Sequence, residues 1–552
     1  MRHEQQKKAN AIADKFMTTG SSKTFWKDIR KASNSKPCLP TCVDGTTGEA
    51  NIAEMWRKHY NDLFNSVQPK DFDSSLFQDM QYISSYAITK PEVEKYINKL
   101  PNAKSAGIDN LAAEHLKYCS SRLHIILSMF FSALLVHGFL PSKMIRTILV
   151  PVMKNKCGKL SSKSNFRPIG LSSVFSKLFE YILVARMESY LVTTDNQFGF
   201  KQNHATDMCI FVLKETIQQY KTKGSSVFVT FLDASKAFDR VNHGTLFQCL
   251  RKCNVPLYIL RVLYYWYTEQ LFSVKWGSTL STSFSTCNGV RQGGILSPLL
   301  FNVYVNRLST SLNKLSVGCL FNGNIINHLM YADDIALLSP SVKGLQTLVN
   351  TCCNFGAAND IIFNESKTVC MYLLNKSDEK CCIDFPSVYM NGKVIEKVKK
   401  FKYLGHYITE SLGDDEDIKK QTQLNYARAN MLSRTFQRCS NDVKCLLFRT
   451  FLYSQYCCCL WSSFSRSTYS KFLVSYNNSF RILMNYPFYC SASQMFVENR
   501  TMTYREIMRL NCASFLNRVV YSNNKLISNY CFSYTKKNSK LLDKWNNMLY
   551  PT

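Results

Sequence analysis

Apolar positions along this chain follow two periods, and the change from one to the other marks its organisation. Thr89-Lys90-Pro91-Glu92 is a T-x-x-E capping signature, and Val93, Ile97 and Leu100 follow at helical spacing, which predicts a capped helix. Another helix is predicted near Ile52 to Phe64, after a turn-rich stretch from Lys36-Pro37-Cys38 through Asp44-Gly45 to Gly48. Helical spacing continues to His137, where Gly138 and Pro141 stop it. From Ile148 the period shortens. Ile148 to Val152 reads as a strand running into a basic loop, Lys154 to Lys159, then Asn165-Phe166-Arg167-Pro168, with a helix across Val174 to Leu191. Val227 to Leu232 is β-branched and aromatic, the composition of a buried strand. After about Asp417 the chain turns helical and basic, and no internal repeat is found.

The most apolar segment, Ile125 to Val136, is bounded by His124 and His137 and falls short of the roughly 20 residues that span a bilayer. It predicts a buried helix and no membrane partner. The charged start, Met1 to Lys8, with a basic amphipathic stretch to about Lys31, has no apolar core segment of a secretory signal, so an intracellular protein is expected. The 22 cysteines lie as adjacent runs (Cys352-Cys353, Cys381-Cys382, Cys457-Cys458-Cys459) and singles, without a C-x-x-C pair. Cys38 and Cys42 have no second pair nearby and the last histidine is His406, so reduced thiols and no zinc site are expected.

Charge changes the picture more. The 68 Lys plus Arg against 39 Asp plus Glu give +29, an excess that points to a polyanion such as nucleic acid. From Ile418 to Thr552 there are 19 basic and 4 acidic residues, so about half of the excess sits in the last quarter of the chain.

Against this basic background, three aspartates stand out. Leu329-Met330-Tyr331-Ala332-Asp333-Asp334-Ile335-Ala336-Leu337-Leu338 places two adjacent acids between apolar runs of strand length, which suggests a hairpin with the acids at its turn. An exposed Asp-Asp turn without chemistry is the plainer reading of that pair alone. The Val227 strand, however, runs directly into Asp233. If it lies beside the hairpin, three carboxylates converge, and these can hold two divalent ions about 3.5–4 Å apart for phosphoryl or nucleotidyl transfer.

Asp233 in FLDASKAFDRVNH, Gly289-Val290-Arg291-Gln292-Gly293-Gly294-Ile295-Leu296-Ser297-Pro298 and Tyr331-Ala332-Asp333-Asp334 resemble, in order and separation, motifs A, B and C of reverse transcriptases. Ser235 to Asp239, the RQGGILSPLLFN form of the middle motif and Tyr403-Leu404-Gly405 are similar to the LINE-type, non-LTR retrotransposon class. The resemblance covers Thr89 to Thr409 strongly and both ends more weakly. It implies an α+β right-hand polymerase with fingers, an antiparallel palm sheet and a helical thumb. The implied divisions are an N-terminal extension or linker remnant over 1–85, an N-terminal segment and fingers over 86–225, a palm over 226–400, and primer grip, basic thumb and C-terminal region over 401–552.

The resemblance also implies roles. Asp233 and Asp333 become the main metal ligands, with the Ala234 carbonyl assisting and Asp334 as a further ligand; Mg²⁺ suits such an all-oxygen site, with Mn²⁺ as the alternative. Phe238, five residues after Asp233, falls at the steric gate that excludes a ribose 2′-hydroxyl; a core aromatic is the alternative. Gln292 and Gly293 fall beside the incoming nucleotide, and Ser297-Pro298 starts a helix. Arg167 matches the fingers residue that grips triphosphate, and Lys154 is a second candidate with which Lys156, Lys159 and Lys163 compete. Lys367 matches the lysine that protonates leaving pyrophosphate. Phe401 to Ile408 resembles the primer grip, with His406 read as a surface hydrogen-bonding residue. Lys104 to Asp109 resembles a template-contacting N-terminal segment.

The expected partners are an RNA template, a DNA primer or target and dNTPs, and a nuclear site of action follows from the family. Of the tail aromatics Tyr453, Tyr456, Trp461, Phe464 and Tyr469, most are expected in the core. The short segment before Thr89 and the scattered tail acids Asp442, Glu498, Glu506 and Asp543 leave no place for an upstream endonuclease or an RNase H unit, so a separated polymerase portion is expected. A catalytically silent nucleic-acid-binding remnant and a group II intron maturase-like protein are the alternatives.

Overall fold

The computed structural model describes residues 11–12, 39–78, 86–155, 158–380, 385–533 and 539–549. The basic start to Lys31 apart from 11–12, Lys36 to Cys38, the boundary at residue 85, Lys156 and Cys381-Cys382 lie outside them. The architecture is mixed helix and sheet, as expected, and it is organised around the strand Val227–Ser235. That strand pairs antiparallel with Asp334–Ser339 on one side and Val369–Leu373 on the other, while Ile362–Phe363 pairs with its far end. His328–Tyr331 adds to the first edge antiparallel, and Glu396–Lys397 adds to the second in parallel.

The sheet is apolar on both faces because each face meets its own core. Phe228 and Leu232 point with Ile335, Leu337, Cys370 and Tyr372 into a core shared with helices Val174–Met187, Ser297–Asn313 and Val342–Ala358. Val227, Val229 and Phe231 alternate with them and meet Ala336, Leu338, Met371, helix Thr206–Thr222 and the C-terminal helices. This two-sided burial explains why the strand reads as a continuous apolar run, and it fixes register, since a one-residue slip would exchange the two sets.

A second sheet is built from Phe166–Ser172, Arg146–Met153, Leu271–Trp276 and two short strands. Its partner is helix Glu49–Phe64, whose Ile52, Trp56, Tyr60 and Phe64 are buried against Leu149, Phe166, Phe272 and Trp276. Trp56 stacks on Tyr60 with ring centroids 5.2 Å apart and meets Phe166 edge-on at 5.2 Å. Residues 39–78, within the stretch expected to be an extension or linker remnant, thus supply one layer of this sheet's core.

Thr89 accepts a hydrogen bond from the Glu92 N–H at the start of Lys90–Lys99, as its capping signature predicts. Two other readings are corrected. Helix Ser121–His137 buries Leu127, Phe131, Leu134 and Leu135 but exposes Ile125, Ile126 and Met129, so its apolar run is only half covered. His406 is fully buried, its Nε2 3.5 Å from Asp414 and its Nδ1 3.3 Å from Asp417. Lys214 donates to Asp414 at 2.5 Å and to the Leu460 carbonyl, while the Trp461 indole donates to Asp417 at 2.9 Å. These contacts form a buried polar network that joins the hairpin Lys400–Tyr403/His406–Thr409 to helix Asp415–Phe436. The neighbouring Lys214 ammonium and His406 hold the Asp414 carboxyl well below its usual range although burial opposes this.

Trp461 is buried, Phe464 stacks on Tyr469, and the Tyr456 hydroxyl donates to Thr206 at 2.7 Å, which places these tail aromatics in structural contacts. The cysteines whose side chains are described form no disulfide with one another. Among the described residues no helix is long and apolar enough to cross a membrane. Trp56→Ala is expected to lower unfolding stability by about 3–5 kcal/mol and Ile126→Ser by less than about 1 kcal/mol, measured by urea denaturation. Equal losses would contradict this placement of the core.

Candidate active site

The register that buries the central strands also sets the acids. Asp233 lies directly opposite Asp334 across the ladder, one pair beyond Leu232 and Ile335, and paired residues project to the same face. Asp333 occupies the two-residue turn that joins Tyr331 to Asp334. Desolvation, then the charges of Asp333 and Asp233, push Asp334 up to about 6. Asp333 is raised by desolvation and by Asp233, with Arg167 opposing. Ala234 is held in the ladder by Phe363.

This turn needs support, because Ala332 adopts a left-handed φ of 58° that costs a residue with a Cβ on the order of 1 kcal/mol. Support comes from Asn196 to Gly199, which runs beside the hairpin. Met330 N–H donates to the Asn196 carbonyl and Phe198 N–H to the Met330 carbonyl, both at 2.8 Å. Gln197 Oε1 accepts from the N–H groups of Ala332 at 3.0 Å and Gly199 at 2.8 Å. A Cβ on Gly199 would lie 2.4 Å from the Ala332 nitrogen, so only glycine allows this approach. Sequence reading missed Gln197 and Gly199; a glycine between Phe198 and Phe200 was the available signal.

A basic group faces the acids. Arg167 is exposed on its strand, opposite Val152 in register. The Lys154 ammonium donates to the Ser164 carbonyl at 2.8 Å, and burial, then Arg167, Lys367 and Lys236, lower its pKa. Lys367 lies 3.7 Å from Asp233 with a largely exposed side chain. Lys163, a competitor by sequence, instead pairs with Asp44 at 3.4 Å. Lys236, to which sequence reading gave no role, belongs to this group through its coupling to Lys154 and Asp239.

The third wall is the loop at Gly289 to Pro298. Arg291 is buried, donates to Glu180 at 2.5 Å and sits 4.5 Å from the Trp266 ring centroid. The other oxygen of Glu180 accepts from Ile295 N–H at 2.5 Å and Leu296 N–H at 3.3 Å. Gly293 has a φ of 104°, and a Cβ there would press on the Gly170 carbonyl at 3.2 Å. Gln292 donates through Nε2 to Asp239 at 2.7 Å. The Phe238 ring stacks on Phe301 at 4.3 Å and meets Phe200 edge-on at 6.2 Å. Ser297–Asn313 is a helix with proline in its first turn.

The donor chemistry suits a hard divalent cation: the donors are carboxylate oxygens, and neighbouring carboxylates raise Asp333 and Asp334. Among the described residues no three His, Cys, Asp or Glu donors are placed to hold one metal ion, so the convergence of three carboxylates expected from the sequence is not present as a formed cluster.

Residues 153–408 match the family model described as reverse transcriptase (RNA-dependent DNA polymerase). The probable RNA-directed DNA polymerase from transposon BS of Drosophila melanogaster is 26% identical over 446 residues, covering 78% of this chain and 48% of that protein. The retrovirus-related Pol polyprotein from type-2 retrotransposable element R2DM of the same species is 24% identical, covering 67% of this chain and 35% of that protein. A structure of apo telomerase from Candida tropicalis aligns with 74% of this chain and 69% of its own at 12% identity, with a TM-score of 0.38. The chain thus spans about half or less of the curated relatives it matches.

Asp239 is almost fully buried, and desolvation raises it to about 6 against the opposing Gln292 hydrogen bond and nearby cations. The unfolded chain loses this proton first, near pH 4, so Asp239 lowers stability progressively between about pH 4 and 6 and fully above. Asp239→Asn is expected to gain about 2–3 kcal/mol relative to the parent between pH 4 and 7 in unfolding measurements. Parallel pH profiles would contradict this.

Proposed function

We propose that this chain, whose residues 153–408 belong to the reverse transcriptase family, is the polymerase portion of a non-LTR retrotransposon protein. In this reading it is an RNA-directed DNA polymerase that extends a primer 3′-hydroxyl with dNTPs on an RNA template. The observation that carries the proposal is the register of Asp233 opposite Asp334 with Asp333 at the adjoining turn, since it places the acids of motifs A and C side by side.

The family implies dependence on a divalent metal, and we assign Mg²⁺, with Mn²⁺ as a substitute. Asp233, Asp333, Asp334 and the Ala234 carbonyl are the proposed ligands. The chemistry a bound pair of cations supplies is charge neutralisation at the α-phosphate and a lower pKa at the primer hydroxyl.

The remaining roles belong to this chain's own groups. Arg167 presents a planar, permanently charged fork to the triphosphate, and Lys154 adds a point charge beside it. Lys367, near Asp233 yet exposed, reaches the pyrophosphate side and donates a proton as that group leaves. Phe238, backed by Phe301, forms the floor under the sugar and excludes a 2′-hydroxyl. Gln292 and Gly293 form the wall beside the base and sugar. The hairpin 400–409 supports the primer end, held against the palm by Phe401 stacking on Phe231 at 4.6 Å. The basic C-terminal helices follow the template–primer backbone, and the genomic target is DNA reached in the nucleus.

Two readings compete. A silent nucleic-acid-binding remnant is disfavoured because Asp233, Phe238, Gln292, Asp333 and Asp334 are all intact, and a decayed copy drifts at such positions as readily as elsewhere. A maturase-like protein is disfavoured by the Ser-Lys-Ala-Phe form after Asp233.

Asp333→Asn is expected to reduce Mg²⁺-dependent dTTP incorporation on poly(rA)/oligo(dT) by about 10³-fold or more while RNA affinity stays within about twofold. Equal incorporation by both proteins would refute the metal assignment.

A further inference from the structure

The turn that carries Phe238 is fastened to the loop that carries Gln292 by four hydrogen bonds. Val290 N–H donates to the Phe238 carbonyl at 2.8 Å, and Gly289 N–H to the Val241 carbonyl at 2.8 Å. The Asn288 amide donates to the Asp239 carbonyl at 2.6 Å. These three use backbone acceptors and would form with many side chains at position 239. The fourth, from Gln292 Nε2 to Asp239 Oδ1 at 2.7 Å, depends on the carboxylate.

We infer that Asp239 is a positioning residue for sugar selection: it locks the Gln292 amide to the Phe238 turn, so that the floor and the wall of the nucleotide pocket hold one spacing. This rests on Phe238 being the sugar gate, as proposed above.

Three features support the assignment. First, Asp239 is 4% exposed, and a carboxylate buried there costs stability that an apolar residue of similar volume would not, so stability does not account for an acid at this position. Second, the rest of the Gln292 loop is already fixed from behind. Glu180 holds Arg291 and the Ile295 and Leu296 N–H groups, and the Gln292 carbonyl accepts from Gly170 N–H at 2.8 Å. The long Gln292 side chain remains to be fixed, and Asp239 is what fixes it. Third, a carboxylate only accepts, so it turns Nε2 of Gln292 toward itself and leaves Oε1 as the acceptor away from Asp239. The amide therefore has one orientation rather than two.

Discrimination by a gate depends on tenths of an ångström, since the ring must clear a 2′-hydrogen and clash with a 2′-hydroxyl. Loosening one side of the pocket admits the larger sugar more than it harms the smaller one.

The test is the ratio of kcat/KM for dTTP and UTP on poly(rA)/oligo(dT) with Mg²⁺, using the full chain. Asp239→Leu is expected to lower this ratio by about tenfold or more. Asp239→Asn keeps an oxygen acceptor for Nε2 but adds a donor that can pair with Gln292 Oε1 instead, so its ratio is expected to fall between the parent and Asp239→Leu. A ratio unchanged in Asp239→Leu, with both nucleotides slowed alike, would overturn the assignment, as would an equal fall in Asp239→Asn. Should Asp239→Leu fail to fold, Asp239→Ala carries the same expectation and the same refutation. Phe238→Ala separates this inference from the reading beneath it: an unchanged ratio there removes the gate, whereas a collapsed ratio there with no effect at Asp239 removes only the positioning role.

Discussion

Asp233 and Asp334 stand side by side because the strands that carry them have no other register available. Phe228 and Leu232 belong to one core and Val229 and Phe231 to the other, and the partner strand alternates in step. Shifting either strand by one residue would turn both sets of apolar side chains the wrong way. The packing of many side chains therefore holds two like charges together, a few residues from a third, at a cost that a sheet end of Thr or Ser would avoid.

The surrounding features act on this concentration of negative charge. Arg167, Lys154, Lys236 and Lys367 interact with one another near it, from four separate segments of the chain. The hairpin turn keeps its strained Ala332 because Gln197 and Gly199 brace it from behind. Glu180 and Asp239, two buried carboxylates, fix successive residues of the Gly289–Pro298 loop, Arg291 from one side and Gln292 from the other. Paired acids, neighbouring cations and a braced loop are the arrangement on which the proposed phosphoryl chemistry rests.

Much of this was legible in the sequence wherever the signal was local. The Thr89 cap, the Val227 strand and the acids at the end of an apolar run each depend on neighbours within a few residues. What escaped depends on distant partners. Helix Glu49–Phe64 reads in the sequence as part of an extension or linker remnant because Phe166, Phe272 and Trp276, which share its core, lie 100 or more residues later. His406 looked like a surface residue because Asp414, Asp417 and Lys214 enclose it only after the chain folds back. Gln197 carried no signal of its own, since its function is to accept two backbone N–H groups, one of them 135 residues away. Helix Ser121–His137 shows the converse error, in which an unbroken apolar run suggested full burial although the fold covers one face.

We propose that the aspartates perform metal-dependent nucleotidyl transfer rather than marking an inert binding protein. Primer extension by the purified chain on poly(rA)/oligo(dT), followed at increasing Mg²⁺ and after chelation with EDTA, tests it most directly. The account predicts dTTP-dependent extension that rises with Mg²⁺ and stops on chelation. Firm binding of the template–primer with no extension at any Mg²⁺ or Mn²⁺ concentration would contradict it.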